Sequence, residues 1–161
     1  MKGITKTILA LGIVALVPQI SFGIMREMDL KDLTAEATEI VTGTVLEAKA
    51  DWTPAGSIET RVKILIEDRL LGNEPGNVVE LSIPGGEVGE MGLYVSDMPK
   101  FVEGTRVLVF LAHPAAEGPY VVGLRQGKFT LDKGKVIENG LSEGDLMERV
   151  RDEIRAKREA K

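Results

Sequence analysis

Hydrophobic and polar positions alternate most clearly between Ser57 and Leu71. One parity of this segment is apolar or β-branched, with Ile58, Thr60, Val62, Ile64 and Ile66. The intervening positions are mostly charged, and a period of two is typical of an antiparallel strand with one face in the core and one in water. A GNEPG turn at 72–76 precedes residues 78–83, which repeat the alternation. The pattern predicts two strands joined by that turn.

Other segments predict further strands. Residues 40–46 are rich in β-branched side chains, and the uninterrupted apolar run 107–111 within 106–112 is typical of a central strand covered on both faces. Three shorter strands are predicted at 120–124, 128–131 and 135–137, and a tight turn joins the last two. Gly43 and Gly123 lie inside predicted strands, where glycine suits the bulges and bends that close a small barrel.

Helices are predicted at both ends of this region. In residues 28–37 the apolar positions recur every three or four residues, and Asp29 is placed to cap the first turn. In residues 142–161 the same spacing produces one apolar stripe, formed by Leu146, Val150 and Ile154. Ser142 and Asp145 resemble a capping box. The residues after Ile154 have no apolar stripe to bury, so we expect them to fray.

These elements favour a mainly β fold, a small antiparallel OB-like barrel with a short N-terminal helix and a C-terminal helix. A two-sheet β-sandwich is the alternative. The barrel domain is expected to span residues 24–141, with the helix at 142–161 packed on it. Residues 84–98 form a glycine-rich loop with almost no period, and loops of this length inside a compact domain are often functional.

The start of the chain has the pattern of a secretory signal. Lys2 and Lys6 precede an uncharged, mostly apolar run at 7–17, and small residues stand at the −3 and −1 positions of a cleavage site within 21–23. The apolar run is shorter than the roughly 20 residues that a spanning helix needs. We therefore expect residues 1–23 to be removed and the remaining chain to be exported, to the periplasm or the cell exterior.

Composition narrows the function classes. The chain has no cysteine, which excludes disulfides, thiolate nucleophiles and cysteine-ligated metals. It carries 20 basic and 25 acidic residues, a net charge of −5, and removal of Lys2 and Lys6 makes that charge −7. Because binding to nucleic acid draws on cationic contacts to phosphate, nucleic acid is a poor partner. The same argument disfavours anionic membrane surfaces.

The order of the segments resembles a set of uncharacterised exported bacterial proteins. The residues that carry the resemblance are Gly43, Gly72, Pro84 to Glu87, Gly89, Phe101, Gly104, Phe110, Leu111 and Gly123 to Phe129. This resemblance covers about residues 30–131 and implies an OB-like barrel, but no activity. The opening helix and strand are also faintly similar to the netrin and tissue-inhibitor barrels that block metalloproteases. Those inhibitors depend on an N-terminal cysteine and disulfides, which this chain lacks, so only the fold is implied.

Catalytic chemistry finds little support in the residues. His113 is the only histidine, and its position before Pro114 is typical of a turn. No serine lies in a G-x-S-x-G elbow. Glu87 and Glu90 offer oxygen ligands for a cation such as calcium, but the spacing of a calcium loop is missing. We expect no catalytic residue, no bound metal and no cofactor.

The expected function is therefore a non-catalytic binding or accessory module for a protein or peptide partner. The candidate contact residues are Trp52, Gly85, Gly86, Glu87, Val88, Leu93 and Tyr94. The glycines of the 84–98 loop either form an anion nest or, as we favour, let the loop pack closely over the barrel mouth. An inhibitor of an exported protease is the alternative function, and a metal-assisted enzyme is the third.

Overall fold

The computed structural model describes residues 26–115 and 118–160, so the predicted signal segment 1–23 lies outside the described residues. Helix α1 spans Leu30–Glu36 and helix α2 spans Glu143–Glu159. The strands are β1 (Glu39–Trp52), β2 (Ile58–Leu71), β3 (Val78–Pro84), β4 (Gly86–Val88), β5 (Met91–Leu93), β6 (Arg106–Ala112), β7 (Tyr120–Val121), β8 (Lys128–Asp132) and β9 (Lys135–Val136). A 3₁₀ helix covers Leu124–Gly127. Within the described ranges, no helix is long and apolar enough to cross a membrane.

Seven of these strands form one antiparallel sheet. Its order is β3-β2-β1-β6-β8-β9, with β7 also paired to β6, while β4 and β5 form a separate hairpin. Strand β3 contacts β7, yet no ladder joins them in the described part of the chain. The prediction of a mainly β, antiparallel fold with a helix near each end is confirmed. Because the sheet is not closed, the fold is compatible with either a barrel or a sandwich.

The hydrophobic core is divided in two by the central strands. Along β6, Leu108 and Phe110 face a cluster that includes both helices, while Val107, Val109 and Leu111 face a second cluster. The second cluster is completed by side chains of β1, β2 and β3. The continuously apolar run of β6 therefore reflects burial on both faces, as the sequence predicted.

Three segments differ from their predictions. Strand β1 continues to Trp52 because its polar second half stays paired with β2, up to the pair Trp52 and Ile58. The predicted loop 84–98 contains the hairpin β4–β5. The predicted strand 120–124 ends at Val121, since Gly123 has a φ of 65° and is the N-cap of the 3₁₀ helix.

The predicted helix caps are present. The Asp29 carboxylate accepts a hydrogen bond from the backbone N–H of Asp32, and the Ser142 hydroxyl accepts one from the N–H of Asp145. Each bond satisfies a donor of the first helical turn that has no partner within its helix. The apolar stripe of α2, formed by Leu146, Val150 and Ile154, is buried against the sheet and α1.

The last turns of α2 are attached to α1. The helix continues to Glu159, and the Lys157 ammonium donates to the carbonyl oxygens of Thr34 at 2.8 Å, Ala35 at 3.0 Å and Ala37 at 2.6 Å. These carbonyls belong to the last turn and C-cap of α1. A cation at a helix C-terminus satisfies such carbonyls and interacts favourably with the helix dipole. Lys157 therefore joins the two helices.

An ion-pair network joins the sheet to α2. The guanidinium of Arg106 lies 2.9 Å from a Glu67 oxygen and 3.1 Å from a Glu143 oxygen. The Thr44 hydroxyl donates to Glu67 at 2.6 Å, and this bond, together with Arg106, lowers the pKa of Glu67 below its ordinary value. The carboxylates of Glu143 and Glu67 raise the pKa of Arg106. The network connects the neighbouring strands β2, β1 and β6 to α2.

Gly43 permits the close approach of β1 and β2. The register between these strands shifts at Gly43, and a Cβ atom placed there would clash with the carbonyl oxygen of Leu65. Any side chain would push the two strands apart at the centre of the sheet. Gly43 thus lies at a shift in the pairing of β1 and β2.

Replacing Lys157 with Met removes the ammonium and keeps most of the aliphatic stem. Because three carbonyl oxygens lose their donor, we expect the free energy of unfolding to fall by about 1–3 kcal/mol. Arg158→Met, at an exposed position in the same turn, is the matched control and should change it by less than about 0.5 kcal/mol. Urea unfolding followed by circular dichroism gives both values, and equal stabilities for the two variants would contradict the capping role of Lys157.

Gly43→Ala should lower the free energy of unfolding by about 1–3 kcal/mol, because the added methyl overlaps the Leu65 carbonyl and forces the backbone to move. The control is Gly144→Ala in the first turn of α2, where a Cβ meets only the Ser142 hydroxyl at 3.9 Å. Alanine there should leave stability unchanged or raise it by up to about 1 kcal/mol. Thermal unfolding of the two variants measures the difference. An unchanged Gly43→Ala protein would show that β1 and β2 are not tightly apposed at this position.

Candidate functional site

A large cavity lies under the segment that follows β3. Hairpin β4–β5 and residues 94–102 cover the C-terminal part of β1 and the N-terminal part of β2. The groove between this cover and the two strands has a volume of about 930 Å³ and is called the hairpin groove below. Its walls are largely apolar, with Ala48, Ala50, Val62, Ile83, Leu93, Tyr94, Val95, Met98, Phe101 and Val102. Its polar side chains are those of Thr60, Glu87, Asp97, Lys100 and Arg125.

Two glycines hold the hairpin against the sheet. The backbone N–H of Gly85 donates to the carbonyl of Ile58 at 2.8 Å, and the Thr60 hydroxyl donates to the Gly85 carbonyl at 2.7 Å. At Gly86 a Cβ atom would lie 2.6 Å from both the Ala50 methyl and the Thr60 hydroxyl. Both glycines also have positive φ, so a side chain at either position is disfavoured twice.

A second tether fixes the other wall of the groove. Asp97 has a φ of 61°, and its carbonyl accepts a hydrogen bond from the N–H of Arg125 at 2.9 Å. Its carboxylate lies 2.9 Å from the Arg125 guanidinium. Pro99 is buried, and Met98 and Phe101 pack against the core. The segment that closes the groove is therefore attached to the domain through hydrogen bonds, an ion pair and apolar contacts.

The predicted contact residues do not all meet in one place. The hairpin groove brings together Gly85, Gly86, Glu87, Leu93 and Tyr94. Gly85 is buried, whereas Glu87 and Leu93 are exposed and Tyr94 is 80% exposed. Val88 is half-buried in β4 and does not line the groove.

Trp52 lies apart from these residues. It is 47% exposed at the end of β1 and lines a separate cavity of about 240 Å³ with Lys49, Arg61 and neighbouring polar residues. The structure therefore places Trp52 and Tyr94, both predicted as contact residues, in different cavities.

Several residues of the groove were not among the predicted contact residues. Its floor is formed by Ala48, Ala50 and Thr60, which come from the paired halves of β1 and β2. Two exposed apolar side chains, Met91 and Val102, also lie on the hairpin and its following segment. The small side chains in β1 were a usable signal, because two alanines on one face of a strand leave space for a covering element.

His113 belongs to a buried ionic cluster, and it is not merely a turn residue. Its Nε2 lies 2.7 Å from one oxygen of Glu39, and the Arg69 guanidinium lies 2.7 Å from the other. The Glu39 side chain is 1% exposed, and these two partners contact both of its oxygens. Gly72 packs directly on the Glu39 backbone and side chain. The cluster joins the ends of β1, β2 and β6.

Acidic side chains do not converge on a metal site in the described ranges. No group of three or more histidine, aspartate or glutamate residues there is placed to hold a metal ion. Glu87 and Glu90, considered for calcium, are both exposed on the hairpin.

Glu39→Gln tests the buried ionic cluster. Because the substitution leaves Arg69 and His113 without the charge they face, we expect the free energy of unfolding to fall by about 3 kcal/mol. The control is Glu80→Gln in the exposed Arg61–Glu80 pair, where the loss should stay within about 1 kcal/mol. Chemical denaturation measures both, and a Glu39→Gln protein as stable as the control would show that the cluster contributes little.

Comparison with known proteins adds no relative. No family model, curated protein or solved structure matches the chain. The resemblance to exported bacterial proteins therefore stays a prediction. The function must be argued from the groove and its surroundings.

Proposed function

We propose that the chain is an exported, non-catalytic binding module whose hairpin groove receives a segment of a protein or peptide partner. The observation that carries this proposal is the group of apolar side chains left in water around the groove. Leu93, Tyr94 and Val102 line it and are all exposed, Tyr94 by 80% and Val102 by 63%. Met91 adds a further exposed apolar side chain on the same hairpin.

Such a group of exposed residues favours contact with a partner. Single exposed apolar residues are common on protein surfaces, but a cluster beside a concave surface is typical of an interaction site. Tyrosine is also enriched among the residues that dominate binding energy, because it buries a large rigid area with little loss of conformational entropy. The groove volume of about 930 Å³ is within the range of ligand-binding clefts.

The tethers of the groove support binding with little rearrangement. The hairpin is fixed through Gly85 and Thr60, and the segment 94–102 is fixed through Asp97 and Arg125. A surface held in place before binding loses less entropy when the partner arrives. The groove is therefore suited to a specific partner.

The polar groups of the groove favour binding over catalysis. The Thr60 hydroxyl is engaged with the Gly85 carbonyl, and Asp97 is engaged with Arg125. Neither serine nor histidine is among the described residues that line the groove. The serine–histidine pair of many hydrolases is therefore not formed by this described lining.

Tyr94→Ala tests the function directly. The tagged full-length chain is expressed in its producing cell, and bound proteins from the envelope and culture fluid are quantified by mass spectrometry. Because Tyr94 is the most exposed aromatic of the groove, we expect a specific partner to bind at least about tenfold more weakly to the variant.

Ile137→Ala is the matched control, since Ile137 is 60% exposed and does not line the groove. Equal capture of every protein by Tyr94→Ala and the control would contradict the proposal. A protease that is captured through Tyr94 and loses activity when bound would favour the inhibitor alternative.

A further inference from the structure

We propose that the free edge of β3 binds an extended peptide by strand addition and guides it toward the hairpin groove. This inference rests on the proposed function, and it adds the mode of recognition. The edge is the set of backbone groups of Val78, Glu80 and Ser82 that point away from β2, called the β3 edge below.

The register of β2 and β3 determines which groups are free. The N–H of Ile66 donates to the carbonyl of Asn77 at 2.7 Å, and the N–H of Gly85 donates to the carbonyl of Ile58 at 2.8 Å. In an antiparallel ladder the hydrogen-bonded pairs alternate with non-bonded pairs. Since these two pairs bracket β3, its odd-numbered residues bond to β2, and its even-numbered residues point their N–H and C=O groups outward.

No other strand takes up these outward groups within the described ranges. Strand β3 ends the sheet order, and it contacts β7 without a ladder between them. Glu80 and Ser82 are themselves exposed residues. Pro84 has no N–H and ends the usable edge on that side. Unpaired edges of this kind are templates for an added strand.

A cavity between β3 and β7 provides space for side chains of an added strand. It measures about 650 Å³ and is lined on its apolar side by Ile83, Met98, Pro99, Val121 and Leu124. Ile83, Met98 and Pro99 also line the hairpin groove. The end of β3 therefore borders both cavities, so a peptide paired with the β3 edge would run toward the groove.

Leu124, which lines this cavity, has an unusual backbone conformation. Its φ is 55°, a value that bulky side chains rarely adopt. Residues held in such conformations are found preferentially at binding sites and switch regions. The strain thus lies on the wall of the cavity that the peptide would enter.

The chemistry of the surface selects an extended peptide. Outward N–H and C=O groups are satisfied by another extended backbone, whereas the backbone of a helix is already bonded internally. The peptide side chains that point into the cavity between β3 and β7 would be apolar, to match its apolar lining. On the outer face Glu80 is paired with Arg61 at 3.2 Å, and Glu59 leaves one net negative charge among the three, which favours one lysine or arginine in the peptide.

A second copy of this chain is a poorer occupant. Its own β3, VVELSIP, contains no basic residue, so pairing two β3 edges would bring two Glu80 carboxylates to one ladder. Like charges across neighbouring strands are destabilising.

The experiment begins with a phage-displayed library of short randomised peptides, selected on the full-length chain and followed by synthesis of the best binders. Each synthetic peptide is N-methylated at one amide at a time, and its affinity is measured by calorimetry. Because only alternate amides face β3, we expect methylation to weaken binding about tenfold or more with a period of two. Uniform tolerance, or a period near 3.6, would overturn strand addition.

Ser82→Pro and Ser82→Ala separate the backbone from the side chain. The proline removes one outward N–H of the β3 edge and leaves the bonds to β2, while the alanine keeps the N–H and removes only the hydroxyl bonded to Glu59. We expect the proline variant to bind the selected peptides about tenfold or more weakly and the alanine variant within about twofold. Equal affinities in two folded variants would overturn the proposal, and the methylation pattern decides it if the proline variant does not fold.

The same peptides separate this inference from the proposed function. Peptides that lose affinity with Tyr94→Ala but not with Ser82→Pro would overturn the β3 edge and leave the groove in place. Peptides that lose affinity with Ser82→Pro but not with Tyr94→Ala would support binding at the β3 edge and count against binding in the hairpin groove. A concentration-dependent dimer abolished by Ser82→Pro, seen by sedimentation, would replace the peptide with a second copy and overturn the inference.

Discussion

The burial of β6 on both faces is the constraint on which the rest of the structure depends. The five side chains from Val107 to Leu111 are fully removed from water. On one face of β6, α1 and α2 pack over Leu108 and Phe110. The side chains on the opposite face, which include Val109, must be buried by a second layer. A strand of this kind cannot stay in a flat sheet with one solvated face, because its apolar side chains would be left in water.

The second layer is made by the sheet itself. Strands β1, β2 and β3 curl so that Val62, Ile64 and Leu81 meet Val109 across the core. The curl brings β3 into contact with β7, but the two strands do not pair in the described chain. Two places remain after the core has been covered. One is the seam between β3 and β7, where no strand pairing forms among the described residues, and the other is the end of β1 and β2 under the hairpin β4–β5. The hairpin groove and the β3 edge both lie there, so the surfaces proposed for binding are consequences of the way the core is closed.

Much of this fold could be predicted because it follows local periodicity. The alternation of β2, the apolar run of β6 and the stripe of α2 each report the burial of one element directly. The second half of β1 escaped prediction because its alternate residues are alanines and charged side chains, whose pairing with β2 leaves no hydrophobic signal. The hairpin β4–β5 has three-residue strands, which are too short to show a period.

The contacts that the sequence did not reveal are those between distant residues. His113 and Arg69 reach Glu39 across 74 and 30 residues, and Lys157 reaches the end of α1 across more than a hundred. Neither spacing nor composition encodes such pairs. The separation of Trp52 from Tyr94 has the same origin, because the curl of the sheet determines which exposed aromatic faces the groove.

Amide hydrogen exchange along β3, followed by NMR in the free protein, tests most directly whether the sheet is open. An unpaired β3 edge should show an alternation: slow exchange at Val79, Leu81 and Ile83, which bond to β2, and fast exchange at Glu80 and Ser82, which point outward. Uniform slow exchange from Val78 to Ile83 would contradict it. In that case the edge is covered, the sheet is closed, and neither the seam nor an added strand has a place in this fold.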